Sequence, residues 1–208
     1  MQKTSLYLLN GLLLLLVLLM LNISLGSVTI PLKDILASFF NAEVEKGTWR
    51  YIILDYRLPK AITAVLVGSG LALSGLLMQT LFRNPLAGPY VLGLSSGASL
   101  GVAIVILGGA VFGGVFSTLF LSKFTLVIAA SLGSVLVLLA VLATSFRVKD
   151  TMALLIIGLM FASLTSAVVS VLSYFSPSES LQKYIFWSFG SLGNLAWQEV
   201  FILVIFWL

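Results

Sequence analysis

Residues 59–82 read PKAITAVLVGSGLALSGLLMQTLF. Across these 24 positions only Lys60 is charged, and it stands at the edge. A helix needs about 20 mostly apolar residues to cross the ~30 Å hydrocarbon layer. Pro59 suits a first helical turn, where its missing N–H costs nothing. The stretch is a membrane span. The whole chain agrees: of 208 residues, 60% are hydrophobic and 9% charged, with a mean hydropathy of +1.17. A soluble domain carries about 25% charged residues. The 11 basic and 7 acidic residues here cannot coat a globule of this length. Soluble, disordered and collagen-like classes are excluded. The net charge of +4 comes with no basic patch interleaved with aromatics, so no nucleic-acid partner is expected.

Working outward, further spans read at about 6–25, 89–107, 124–146 and 152–175. The first follows Lys3 and is rich in leucine, a pattern shared with cleaved signal peptides, but the later spans favour an uncleaved first span. Residues 197–208 begin a sixth, incomplete span of 12 residues. At 1.5 Å per residue it reaches only about 18 Å, so the chain is expected to be the front portion of a longer protein. Residues 27–57 form the longest polar stretch and read as an external loop. Within it Pro31 opens a short helix over 32–40, lying along the bilayer surface with Leu32, Ile35, Leu36 and Phe39 on one side. The glycine-rich stretch 108–122 reads as a re-entrant or surface connection, and 181–189 as a short amphipathic helix. The fold class is all-α: a polytopic integral membrane bundle with about six spans in this chain.

The chain contains no His and no Cys, which removes imidazole bases, thiolate nucleophiles and most metal-ligand sets. No metal site and no catalytic residue are expected. Gly93-Leu94-Ser95-Ser96-Gly97 matches a nucleophile elbow, but that motif needs a strand-to-helix turn and a His partner. A hydrolase using Ser95 is set aside. There is no phosphate-binding loop either, so any ATP must be bound by another chain.

Small residues recur at helical spacing. Ala64, Gly68, Ala72 and Gly75 share one stripe with Gln79, and Gly93, Gly97 and Gly101 form a tandem GxxxG. Such stripes let helices approach closely in lipid, where dispersion replaces the hydrophobic effect, and helix packing is the expected role. Gln79 needs a partner or a polar path. Ser163, Ser166, Ser170 and Ser173 fall within one quadrant of a helix. They either bond back to the preceding turn or form a mildly polar wall for a translocation path.

Taken together, the runs Arg57-Leu58-Pro59-Lys60, 67–75, 78–87 and 92–98 closely resemble the FecCD family. Its members are permeases of ABC importers (type II) for ferric siderophores, haem and cobalamin. Weaker agreement continues at 155–158 and 187–192. The resemblance implies a multi-pass permease of a bacterial cytoplasmic (inner) membrane that pairs with a second permease subunit. It further implies two cytoplasmic ATPase subunits and an extracytoplasmic substrate-binding protein. This chain would bind no cofactor, with ATP and Mg on the partner ATPase.

By position, Arg57 and Lys60 match a basic pair that docks binding-protein carboxylates; Lys60 replaces the commoner arginine and loses its planar fork. Asn84, Pro85 and Leu86, with Thr151 and Met152, match two turns that close the cytoplasmic end of the path. The implied orientation gives Lys3, Arg83, Arg147 and Lys149 to the cytoplasm. It leaves Lys33, Lys46, Arg50, Arg57, Lys60, Lys123 and Lys183 outside, against a plain positive-inside count. The competing reading is a non-transporting scaffold or sensor, which would require the chain to be complete at 208 residues.

Overall fold

The computed structural model describes residues 2–109, 122–148, 150–193 and 195–207. Among them all regular structure is helical. In chain order these are α1 (Gln2–Ser24), α2 (Leu32–Phe39), α3 (Gly47–Tyr51), a π turn (Ile52–Arg57) and α4 (Leu58–Phe82). A 3-10 turn (Pro89–Leu92), α5 (Leu94–Ala103) and a second π turn (Ile104–Gly108) follow. Then come α6 (Lys123–Ser145), α7 (Thr151–Phe175), α8 (Ser178–Ser188) and α9 (Trp197–Trp207). Four stretches are long and apolar enough to cross a membrane: Thr4–Ser24, Gly47–Phe82, Lys123–Ser145 and Met152–Phe175. Leu94–Gly108 is shorter, reaching about 22 Å at the helical rise.

Three expectations need correcting. The stretch 47–57 is not a loop: it is helical and runs without a break into α4. Pro59 therefore lies inside a helical run of 36 residues rather than opening one. Proline is tolerated there because of the π turn before it. In that turn each carbonyl pairs five residues on, as Ile53 does with the N–H of Leu58. The next carbonyl, Leu54, meets the residue that has no N–H, and it accepts the indole N–H of Trp197 at 3.0 Å instead. Second, 89–107 is not one straight span. It is a 3-10 turn, a left-handed Gly93 (φ 75°), α5 and a π turn. Most of the connection at 108–122 lies outside the described residues.

The third correction concerns α2. The four apolar residues do not share one environment: Ile35 is fully buried with Asp34 and Ser38, while Leu32, Leu36 and Phe39 are exposed. In a bilayer protein an exposed apolar stripe is an ordinary lipid-facing surface, so periodicity alone cannot say which face turns inward.

The chain divides into two compact units. The first comprises Met1–Gly70 and Ser191–Leu208. Its core is Ile23, Ile30, Ile35, Trp49, Ile53 and Ala61. Polar ties hold the segment around it. Buried Asp34 accepts the Glu45 N–H at 3.1 Å, Arg50 donates to the Ser38 carbonyl at 3.3 Å and to Asn41, and the Lys46 ammonium lies 5.2 Å over the Trp49 ring.

The second unit is Leu71–Gly190. Here α5 packs on α6 and α7 through glycine. A Cβ on Gly97 would stand 2.5 Å from the Gly133 carbonyl oxygen, and one on Gly101 would collide with the Ala129 carbonyl. Two apolar clusters flank this crossing. One holds Phe82, Ala87, Leu92, Val137 and Val141; the other holds Val102, Ala103, Ile106 and Leu107, with Tyr184 and Trp187 of α8 against it.

Candidate functional site

The basic pair at the start of α4 splits. Arg57 is only 8% exposed, and its guanidinium donates to the carbonyls of Ile23 at 2.6 Å, Ser24 at 2.8 Å and Val28. Lys60, three residues on, is exposed. One helical turn therefore carries one cation already engaged and one open to a partner.

The stripe of Ala64, Gly68, Ala72, Gly75 and Gln79 faces outward: all but Gly75 are exposed, and Gly75 is half-buried. A Cβ added at Gly68 or Gly75 would meet nothing within 4 Å among the described residues. The tandem GxxxG lies differently. Gly93, Gly97 and Gly101 press on Gly158, Val137, Gly133 and Ala129, with backbone against backbone. Two stripes of similar composition thus differ: one lies between helices, and the other has no close neighbour at Gly68 or Gly75 among the described residues.

The turn after α4 closes on itself. Asn84 Oδ1 accepts the Leu86 N–H at 2.9 Å, the Asn84 N–H donates to the Gln79 carbonyl at 3.1 Å, and the Ala87 N–H donates to the Asn84 carbonyl at 3.1 Å. Pro85 and Leu86 are exposed, Leu86 strongly, while Ala87 is buried. The second turn places Thr151 as the first residue of α7, with Asp150 Oδ1 accepting the exposed Met152 N–H at 3.1 Å. Ala87 and Leu92 share a buried cluster with Leu154 and Leu155, which brings these two turns to one end of the second unit. Lys149 lies outside the described residues.

On α7, Ser163, Ser166 and Ser170 are exposed and Ser173 is half-buried. Ser163 donates to the Leu159 carbonyl at 2.9 Å, Ser170 to Ser166 at 2.9 Å and Ser173 to Val169 at 2.8 Å. A hydroxyl with its proton engaged this way offers only lone pairs. The face is a row of weak acceptors, suited to sliding contact rather than tight holding.

Several structural residues escaped the sequence reading. Gly133, a partner of the GxxxG face, has only Ala129 four residues before it as a signal, and Gly158 enters only through the resemblance at 155–158. Gly26 sits under the Arg57 guanidinium, where a Cβ would lie 2.7 Å from Nη2. Asp34 and Trp197 act by single bonds to backbone that no local pattern foretells. Asp150 was legible in principle, as an acidic residue just before an apolar run.

The model of the FecCD transport family matches residues 14–208. The molybdate import system permease protein MolB of Haemophilus influenzae is 35% identical over 150 residues, covering 72% of this chain and 42% of that protein. The vitamin B12 import system permease protein BtuC of Klebsiella pneumoniae is 35% identical over 193 residues, covering 92% and 53%. Among solved structures, an ABC transporter assigned to the metal-chelate type, in an inward-facing conformation, matches with a TM-score of 0.77 and 30% identity. That match covers 97% of this chain and 58% of the other. The chain spans about half the length of the curated relatives it matches.

Proposed function

The chain belongs to the FecCD transport family and is a multi-pass membrane protein, and on that premise we propose that it is part of the permease subunit of an ABC importer. The observation that carries this reading is the family match over residues 14–208, joined to four apolar stretches of spanning length. The cargo is an iron chelate (siderophore), haem or cobalamin, and the membrane is the inner membrane of a bacterium. Relatives named for molybdate and for vitamin B12 are equally close in identity, so likeness points to the carrier more strongly than to its load.

In this reading the path alternates between outward and inward access, and the two states interconvert as separate ATPase subunits bind and hydrolyse ATP. A second permease subunit completes the path, and an extracytoplasmic binding protein delivers substrate at the end carrying Lys60. The turns at Asn84–Leu86 and Thr151–Met152 close the cytoplasmic end. Among the described residues both turns are held by short main-chain bonds and single caps, which small movements can break. Gln79 and the α7 serines line the path with weak polar contacts that suit a bulky load.

The test is reconstitution. The full-length permease, its ATPase and the binding protein encoded beside it are placed in proteoliposomes, and uptake of the ligand the binding protein captures is measured. ATP-dependent uptake that ceases without the binding protein is expected. ATP hydrolysis stimulated by the binding protein without any uptake would refute the permease reading. Lys60→Glu is expected to weaken binding-protein association on the order of tenfold, as reversal of an exposed interfacial charge does.

A further inference from the structure

We propose that Tyr51, Asp55 and Tyr56 form a docking patch for a lysine or arginine of the extracytoplasmic binding protein, a contact of opposite charge to the one Lys60 offers. The partner's identity rests on the permease reading. The patch itself rests on the geometry of the π turn.

Tyr51 and Tyr56 are five residues apart, which on an α-helix would set them about 140° apart around the axis. The turn Ile52–Arg57 is π, and its i→i+5 bonds bring residues five apart onto one face. The two rings therefore meet edge to face, with centroids 5.5 Å apart and planes at 77°. Asp55, one turn after Tyr51, is exposed beside them. The other side of the turn is anchored: Ile53 is fully buried, Arg57 is buried, and the Leu54 carbonyl accepts the Trp197 indole N–H. A patch on so fixed a support loses little freedom when it binds.

Tyr51 is 57% and Tyr56 54% exposed, and among the described residues no hydrogen bond or ion pair engages the Asp55 carboxylate. An open carboxylate beside two aromatic rings suits a cation. The carboxylate takes charge-assisted hydrogen bonds and a ring face attracts the positive charge. Lysine and arginine side chains can use both. Depth favours a protein partner over the bilayer. No charged residue lies from Ala61 to Phe82, and that run covers about 33 Å, the full hydrocarbon layer. Asp55 then stands about 9 Å beyond the hydrocarbon edge and Tyr51 about 15 Å, against a headgroup layer of about 5–8 Å. Lys60 is exposed on the same helical run. A partner that brings a carboxylate to Lys60 and a cation to Asp55 docks in one orientation, because reversing it sets like charges together.

The test measures the Kd of the binding protein encoded beside the permease for the full-length permease with its ATPase in nanodiscs. Asp55→Lys should raise Kd on the order of tenfold, as reversal of an interfacial charge does. Asp55→Asn, which keeps the shape, and Tyr56→Leu should each raise it severalfold. Tyr56→Phe keeps the ring face and should lose less than Tyr56→Leu. Tyr7→Leu, the same change at an exposed tyrosine of α1, should leave Kd where it was. Unchanged Kd in both Asp55 variants, with binding still weakened by Lys60→Glu, overturns the patch and leaves the permease reading standing. No binding by the unsubstituted protein overturns both. A loss seen only when the nanodiscs contain phosphatidylethanolamine also overturns the proposal, because the cation would then be a lipid amine.

Discussion

In the unit of Met1–Gly70 with Ser191–Leu208, side chains tie irregular backbone down; in Leu71–Gly190, backbone presses directly on backbone. Arg57 gathers three carbonyls, Trp197 takes the one that Pro59 leaves free, and Asp34 holds the Glu45 N–H. Across α5, α6 and α7 the contacts are instead made by Gly97, Gly101, Gly133 and Gly158. The difference follows from the backbone at each set of contacts: irregular segments at helix ends in the first, mostly continuous helix in the second. Near the membrane surface, polar segments must leave and re-enter helices, and every exit exposes N–H and carbonyl groups that a long side chain can satisfy. At bilayer depth a chain of apolar helices gains nothing from burying more apolar surface. Close approach and dispersion remain, and glycine permits them.

The largest expected effect comes from placing a methyl group in the close crossing. Gly101→Ala would drive Cβ into the Ala129 carbonyl, which cannot swing aside as a side chain can. A loss of about 3 kcal/mol is expected. Gly68→Ala, on the open stripe, should change stability by less than about 0.5 kcal/mol. Unfolding of both variants in mixed detergent checks the pair, and equal losses would erase the distinction between the two glycine stripes.

The polar ties come next. Asp34→Ala removes a buried acceptor from the Glu45 N–H, and about 2 kcal/mol should be lost. Trp197→Phe keeps the ring but deletes the donor to the Leu54 carbonyl, for about 1 kcal/mol. Phe at 197 with no loss of stability would mean that the π turn does not need its indole partner. Asp150→Ala, removing the cap on the first turn of α7, should also cost about 1 kcal/mol. Its amide exchange should rise at Met152 specifically. The smallest effect is expected at Ser170→Ala, within about 0.5 kcal/mol, because its hydroxyl bonds only to its own helix.

Much of the helical framework could be read from the chain. Spans at 124–146 and 152–175 differ from α6 and α7 by single residues, because an apolar run bounded by Lys123 and by Arg147–Asp150 admits few alternatives. The run 47–57 misled for a physical reason. Its Arg50, Asp55 and Arg57 look like a loop in composition, yet Arg50 and Arg57 have backbone partners that make helix tenable there. Pro59 misled similarly, since proline usually starts a helix and here follows a π turn. Among site residues, the spacing of Gly93, Gly97 and Gly101 signalled close packing, while the same spacing at Ala64, Gly68 and Ala72 did not distinguish a packed face from an open one. The burial of Arg57 was not legible, because its acceptors lie some thirty residues away and are main-chain atoms.

These 208 residues contain no cysteine, and in an assembled transporter with any other cysteines replaced, the central claim that this chain carries part of a transport path can be tested directly. Single cysteines are placed at Ser163, Ser166 and Ser170, and at Leu164 and Val168 on the opposite exposed face of α7. In the assembled transporter, a membrane-impermeant thiol reagent should label the serine positions, with rates that change between nucleotide-free and nucleotide-trapped states. It should leave positions 164 and 168 unlabelled. Serine positions as inert as their leucine and valine neighbours in every state would contradict the account.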